Sequence, residues 1–313
     1  MPFIDGFEQF DKAENPAAEM RLANYTILGN VVTGTGRKTG RSLVCSSSSV
    51  SRAWPWTGDR FSVGFAFKFD KRGALIQFNN GATLALDSST GRPYFVGGAI
   101  GNAGPVKNRW YYCELELRRN ARQIIVWFNG RQDFVGTMPE DLAAANTVTC
   151  RLNPWNAVTD DAGSTKNYDD FYMNNGARIQ PMQIVTRFPT KDEGPNGWAP
   201  STSPGAAHWS MVGPLPTDKL DRYLIANVTG AEESFSSSTT LPDSNNVLAL
   251  GLVSLVRKTT VDNLTLTMKF GGRNIPNTDI PMDWAYRYSD VPVQGDTSDS
   301  IVDEKFGAVL NRS

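Results

Sequence analysis

Phe61, Val63, Phe65, Phe67 and Phe69 alternate unbroken with Ser62, Gly64, Ala66 and Lys68. Side chains of a β-strand point to opposite faces in turn, so this spacing predicts one strand with a wholly apolar inner face. The same period runs through the stretch from Arg109 to Val135. Tyr111, Cys113, Leu115 and Leu117 share one side, while Trp110, Tyr112, Glu114 and Glu116 share the other, which predicts a strand with one buried and one solvated face. Arg119-Asn120-Ala121 reads as a tight connection, after which Ile124 to Phe128 is apolar on both sides, as in a strand inside a sandwich. Asn129-Gly130 follows at once, and both residues tolerate the positive φ of a two-residue hairpin turn. Three consecutive antiparallel strands are predicted.

The rest of the first half repeats this grammar. Leu75 to Phe78 and Thr83 to Leu86, joined through Asn80-Gly81, form a second predicted hairpin. Tyr25 to Val32, Ser42 to Ser46, Tyr94 to Val96 and Val148 to Leu152 read as strands, and Tyr168 to Met173 closes the series. Phe3 to Phe10 reads as an opening strand or arm, Asp11 to Arg21 as a helical turn or irregular loop, Met138 to Asn146 as one short helix, and Asn153 to Asn167 as a polar loop. Short strands with turn signals between them predict an all-β antiparallel sandwich. Near Ala177 to Thr186 the pattern fades, and from Pro189 to Pro216, with Pro195, Pro200, Pro204 and Pro214, a long loop or linker is predicted. Strand patterns resume at Tyr223 to Val228, Val247 to Val256 and Leu264 to Phe270, where Gly271-Gly272 ends the last; a short helix is expected within Ser300 to Asn311. The expected organisation is a sandwich over residues 1–180 and a smaller β-rich region over 181–313, a separate domain or not.

Composition narrows the function classes. With 313 residues, of which 40% are hydrophobic, the chain can bury a substantial core. Lys and Arg number 31 against 32 Asp and Glu, so no long-range field draws in nucleic acid or an anionic membrane surface. No window approaches eighteen consecutive apolar residues, and the start Met1-Pro2-Phe3-Ile4-Asp5-Gly6 lacks a signal-peptide pattern, so a soluble chain that is not exported is expected. The sequons at Asn24, Asn227, Asn263 and Asn311 matter only in a secreted eukaryotic chain. Cys45, Cys113 and Cys150 are odd in number and widely spaced, which predicts buried thiols.

Candidate chemistry is thin. Gly34 to Ser42 is glycine-rich but fails the Walker and dinucleotide spacings, so it reads as a turn entering a strand. His208 is the only histidine and no Gly-x-Ser-x-Gly elbow exists, so a loop histidine with a backbone partner is expected. Asp160-Asp161 and Asp169-Asp170 are oxygen donors suited to calcium, but a capping or turning role for the second pair fits better, and no metal or cofactor is expected. Glu114 and Glu116 share a strand face about 7 Å apart, beside Trp110 and Tyr112, a spacing that sugar hydrolases use. The sandwich glycanases carry Glu-x-Asp-x-x-Glu on one strand, whereas this strand reads Glu-Leu-Glu-Leu-Arg-Arg, so two glutamates on a solvated face, paired across strands, are expected and no enzyme. Trp54, Trp56 and Trp155 sit in loop-like contexts and, with Trp110 and Tyr112, are the candidate glycan or partner contacts, unless they cover sandwich ends or a subunit interface.

In order along the chain, DGFEQF, GRKTGRSLV, RWYYCELEL, VWFNGR and YDDFYM resemble the concanavalin A-like (laminin-G-type) two-sheet jelly roll. The whole chain is similar to a group of tailed-bacteriophage virion structural proteins in which that domain is followed by a second β-rich region. There the matching patterns are IVTRFPTKDEGPNGWAPSTSPGAAHWSMV, LPTDKLDRYLIAN, VLALGLVSLVRKT and FGAVLN. The resemblance implies a tail or tail-appendage structural protein, made in the host cytoplasm and ending in the virion. It also implies association with copies of itself and with other virion proteins, and it brings no catalytic residues. The alternative is a carbohydrate- or receptor-binding protein on the particle surface; position on tail, fibre or head stays open.

Overall fold

The alternation from Phe61 to Phe69 persists in three dimensions: Phe61, Val63, Phe65, Phe67 and Phe69 are all buried. The structure, a computed structural model, describes residues 2–10, 15–38, 40–79, 81–158, 163–213, 221–242, 246–275 and 279–312. Its chain divides into two units, Met1–Asp11 with Pro16–Ile184, and Lys12–Asn15 with Val185–Ser313.

In the first unit the strands are β1 (Pro2–Asp5), β2 (Thr26–Leu28), β3 (Val31–Thr35), β4 (Arg41–Ser46), β5 (Ser49–Pro55), β6 (Arg60–Phe69) and β7 (Ala74–Phe78). They continue with β8 (Thr83–Leu86), β9 (Pro93–Phe95), β10 (Tyr111–Arg118), β11 (Gln123–Phe128), β12 (Arg131–Thr137), β13 (Thr147–Leu152) and β14 (Thr165–Asn174). Two short helices, α1 (Pro16–Leu22) and α2 (Glu140–Ala144), interrupt them. Among the described residues the larger sheet runs β12-β11-β10-β6-β14-β4-β3, with β1 added to β14, and the smaller runs β2-β5-β13-β7-β8-β9. All pairings are antiparallel, which makes this unit an all-β sandwich of the jelly-roll class.

The sandwich core follows from β6 and β10 in register. Leu117 pairs with Phe61, Leu115 with Val63 and Cys113 with Phe65, and all six side chains are buried. The two sheets are also tied by polar links, since the Tyr168 hydroxyl of β14 donates to the Leu75 carbonyl of β7 at 2.8 Å. The predicted hairpin turn is present: Asn129 (φ 48°) and Gly130 (φ 80°) both take the left-handed conformation, and Phe128 pairs with Arg131 across them. Gly64 has a different reason, because a Cβ there would lie 2.2 Å from the Tyr172 ring. The Asn80-Gly81 turn lies partly outside the described residues, as Asn80 does. The serine-rich run before Trp54 hides β5, which sequence periodicity does not reveal: Ser49 and Ser51 point no apolar side chain anywhere, and the strand exists through its pairing with β13.

The second unit contains β15 (Lys191–Asn196), β16 (Ala199–Pro200), β17 (Leu224–Ile225), β18 (Glu232–Ser236), β19 (Leu250–Val256), β20 (Leu264–Phe270), β21 (Arg273–Ile275), β22 (Ala285–Val291) and β23 (Phe306–Arg312). Its helices are α3 (Trp209–Val212) and α4 (Ser298–Ile301). A five-stranded sheet, β15-β18-β23-β20-β21, stands beside the two-stranded pairs β16-β17 and β19-β22. Two expectations are corrected here. The proline-rich stretch holds β15 and β16 rather than loop alone, because Lys191 and Asp192 pair with Ser236 and Phe235; Pro214 and Pro216 lie outside the described residues. The helix expected within Ser300 to Asn311 ends at Ile301, and Phe306–Arg312 forms a strand between β18 and β20. Phe306, Val309 and Leu310 fit either period, and two waiting strand partners decide between them.

Candidate functional site

β10 lies between β6 and β11, so its outward face occupies the middle of the larger sheet. That face is not solvated. Residues 177–184, which leave β14 without regular structure, cross it and bury Glu114 (0% exposed) and Glu116 (3%). The expectation of two glutamates on an open face is therefore corrected. The cause is a segment some sixty positions later in the chain, and nothing in the strand's own alternation announces it.

The contacts are specific. Glu114 accepts three hydrogen bonds, from the Tyr172 hydroxyl (2.8 Å), the Arg178 guanidinium (2.9 Å) and the Gln180 amide (3.0 Å). Glu116 accepts from Arg118 Nε at 2.6 Å and from the Arg178 amide at 3.4 Å. The Ile179 amide donates to the Tyr172 hydroxyl oxygen (3.1 Å) and the Ile184 amide to Asp170 (2.7 Å), while the Arg37 side chain donates to the Met182 carbonyl. Arg178 also lies 4.8 Å from the centre of the Trp127 ring. Ile179 and Met182 pack on a cluster of Ala66, Tyr112 and Tyr172. Both carboxylates are thus occupied by the chain's own donors, and neither offers surface to a sugar.

At the other end of this segment, the β14–β6 register shifts between Asp169 and Tyr172, and Asp170 adopts φ 49°. Asp169 accepts the Arg37 amide (2.7 Å) and the Asp170 amide (2.8 Å), and Asp170 pairs with the Arg37 guanidinium at 2.6 Å. Burial and then the neighbouring Asp170 charge push the Asp169 carboxyl up to about 7. Burial also raises Asp170, against the pull of Arg37. A folded-state value above the unfolded one means that Asp169 stabilises the fold fully below about pH 4 and that this contribution is lost as pH rises through about 7. Denaturant titrations at about pH 5 and about pH 8 are expected to show a loss that Asp169→Asn reduces by roughly 2–4 kcal/mol. Equal losses in the two proteins would contradict this. Among the described residues no group of three or more acidic, histidine or cysteine side chains is placed to hold a metal. Asp160 and Asp161 lie outside the described residues.

The aromatic candidates separate. Tyr112 (2% exposed) and Trp56 (1%) are core residues, contrary to their expected role at the surface. Tyr112 is covered by the same crossing segment, and Trp56 packs on Phe61 with Arg119 over its ring. Trp54 is on β5, half-buried, with its ring 5.5 Å from Phe3. Trp110 is half-buried at the Tyr112 cluster with Lys68 5.2 Å from its ring, and Trp155 is half-buried with an indole N–H that has no partner among the described residues.

In the second unit the His208 ring bonds a buried carboxylate, Glu233, at 2.9 Å, instead of the expected backbone group; the His208 amide goes to Asp192. Burial raises the Glu233 carboxyl. All three cysteines are free and buried. Burial pushes the Cys45 thiol up to about 12 and raises Cys113 and Cys150, so none is a thiolate at neutral pH.

No protein-family model matches the chain, and no curated protein matches it. Among solved structures it is similar to a sialidase, at 16% identity over 55% of this chain and 18% of that one, with a TM-score of 0.41. It is also similar to lectin II from Ulex europaeus (10% identity, 55% of this chain, 97% of the lectin, TM-score 0.35). The binding domain of a botulinum neurotoxin of serotype D/C gives 14% identity over 84% of this chain and 76% of that domain, with a TM-score of 0.36. The chain spans only 18% of the sialidase's length.

Proposed function

We propose that this chain is a structural component of a bacteriophage virion, a tail or tail-appendage protein, that acts by self-association and by contacts to neighbouring virion proteins. The order of motifs from DGFEQF to FGAVLN supports the particle, and the β19–β22 ribbon supports the mode of action. In that ribbon Leu250, Leu252 and Val256 pack inward on the second unit's core. The opposite face carries Val253 paired with Tyr288 and Leu255 paired with Tyr286, and Val253 is 48% exposed. No third strand joins the ribbon among the described residues. A two-stranded ribbon with an apolar outer face and unpaired edges is marginal alone and gains from a further layer or strand. In this reading the sandwich is the rigid body and residues 181–313 are the assembly domain.

Val253→Lys is expected to shift the protein toward smaller species at least about tenfold in dissociation constant, because a charge enters an apolar contact. An unchanged mass distribution would remove the ribbon from the interface. Location is tested by negative-stain microscopy of purified phage particles with an antibody to this chain. Regular decoration of one appendage supports the reading, and particles without label oppose it.

A second reading, glycan or receptor binding on the particle surface, is supported by Trp110 and Trp155, whose rings are half-buried, the first with Lys68 5.2 Å from its centre. Saturable binding on a glycan array, lost in Trp155→Ala, would move this reading to first place.

A further inference from the structure

The outer face of the larger sheet has a second part, beside the one that residues 177–184 cover. Its side chains line up across the strands in register. Asn167 of β14 pairs with Lys68 of β6 on one side and with Val44 of β4 on the other, and Val44 pairs with Val32 of β3. Trp110, one residue before β10, extends the row, with the Lys68 Nζ 5.2 Å from its ring centre. None of the five is buried: Val32 is 47% exposed and the others are half-buried. Their strand neighbours Phe67, Tyr168, Leu43 and Val31 are buried on the opposite face. Strands about 4.8 Å apart make the row roughly 19 Å long, room for a short chain of sugar rings rather than for one.

Each part of the row brings a different chemistry. Trp110 offers aromatic surface to the C–H face of a pyranose. Val44 and Val32 form an apolar end, and Gly34 beside them keeps it low, since a Cβ there would lie 2.7 Å from Val44 Cγ2. Between the two ends Asn167 is preset. The Ser42 hydroxyl donates to the Thr35 carbonyl (2.9 Å), so its oxygen is left to accept, and it takes the Asn167 Nδ2 at 3.3 Å. That turns the Asn167 Oδ1 away as an acceptor, and no donor among the described residues meets it. Lys68 forms no ion pair with a carboxylate among the described residues. An unpaired cation between an aromatic ring and a free amide acceptor is complementary to a sugar that carries a negative charge.

We propose that this row binds an acidic glycan, a short run of uronic acid residues lying across the strands. Lys68 takes a carboxylate, the Asn167 Oδ1 accepts a hydroxyl, and Trp110 packs on a ring. The proposal rests on the glycan-binding reading and names its ligand class and its site. An apolar protein surface is the poorer occupant, because it would bury Lys68 without a partner.

Calorimetry of the full-length chain with a short oligogalacturonate, and with the same oligosaccharide as its neutral methyl ester, tests the site. Saturable binding of the acid is expected, with a dissociation constant below about 1 mM, and binding of the ester at least about tenfold weaker. Lys68→Gln is expected to weaken the acid at least about tenfold and to leave the ester unchanged, so that the two probes become alike. Asn167→Asp adds a negative charge to the row and is expected to weaken the acid in particular, while thermal unfolding checks that both variants keep the fold. No binding of either probe overturns the proposal, as does binding of the acid that is indifferent to Lys68. If a glycan array finds a sugar whose binding is lost in Trp155→Ala but kept in Lys68→Gln, the glycan reading stands and this site fails; if no sugar binds, both fail.

Discussion

Replacing Glu114 by alanine is expected to lower stability by about 3–5 kcal/mol, because the change leaves Arg178 without its partner in a desolvated site and strips acceptors from two further donors. Glu114 bonds the Tyr172 hydroxyl, the Arg178 guanidinium and the Gln180 amide, and has no exposed surface. Amide hydrogen exchange should show where the loss falls. The Gln180 amide, which depends on Glu114, should lose protection first, whereas the Ile184 amide is held separately by Asp170. A solvated glutamate would cost within about 0.5 kcal/mol, so a small change would refute the burial of this face.

Phe65→Ala is expected to cost a similar amount, about 3–5 kcal/mol, for a different reason. Phe65 is fully buried, packs 5.9 Å from the Phe67 ring and 5.8 Å from the Tyr168 ring, and pairs with Cys113 across the centre of the larger sheet. The loss combines the transfer of a large apolar side chain with a cavity that neighbours fixed by sheet pairing cannot fill. Thermal or denaturant unfolding measures it. A loss below about 1 kcal/mol would mean that this strand is not the centre of the core.

These two residues also mark where the sequence is and is not legible. Phe65 lies in a run whose period alone fixes strand, face and depth, because both sides of the decision are local. The hairpin at Asn129-Gly130 is legible for the same reason. Glu114 has the same period and the wrong inferred environment: alternation assigns it to the outer face, and whether that face meets water depends on residues 177–184. Arg178 and Gln180, polar residues around Ile179 just past the closing strand, were the available signal, but they name no target. Polar strands such as Lys191–Asn196 and Glu232–Ser236 exist through pairing rather than composition, so periodicity passes over them. Trp56 and Tyr112 fail as surface candidates because aromatic residues beside turns are as suited to capping a core as to meeting a partner.

The buried carboxylates bear on mechanism as well as stability. A pair of glutamates near aromatic rings suggests sugar chemistry only while the face is open, and here the occupant is the chain itself. The outer face of the β19–β22 ribbon, where Val253 is 48% exposed, is the surface that the proposed self-association uses.

Sedimentation velocity of the full-length chain over a wide concentration range tests self-association most directly. A discrete species of several chains, growing with concentration and reaching a plateau, is the expected result. A single species of one-chain mass at every concentration would contradict it.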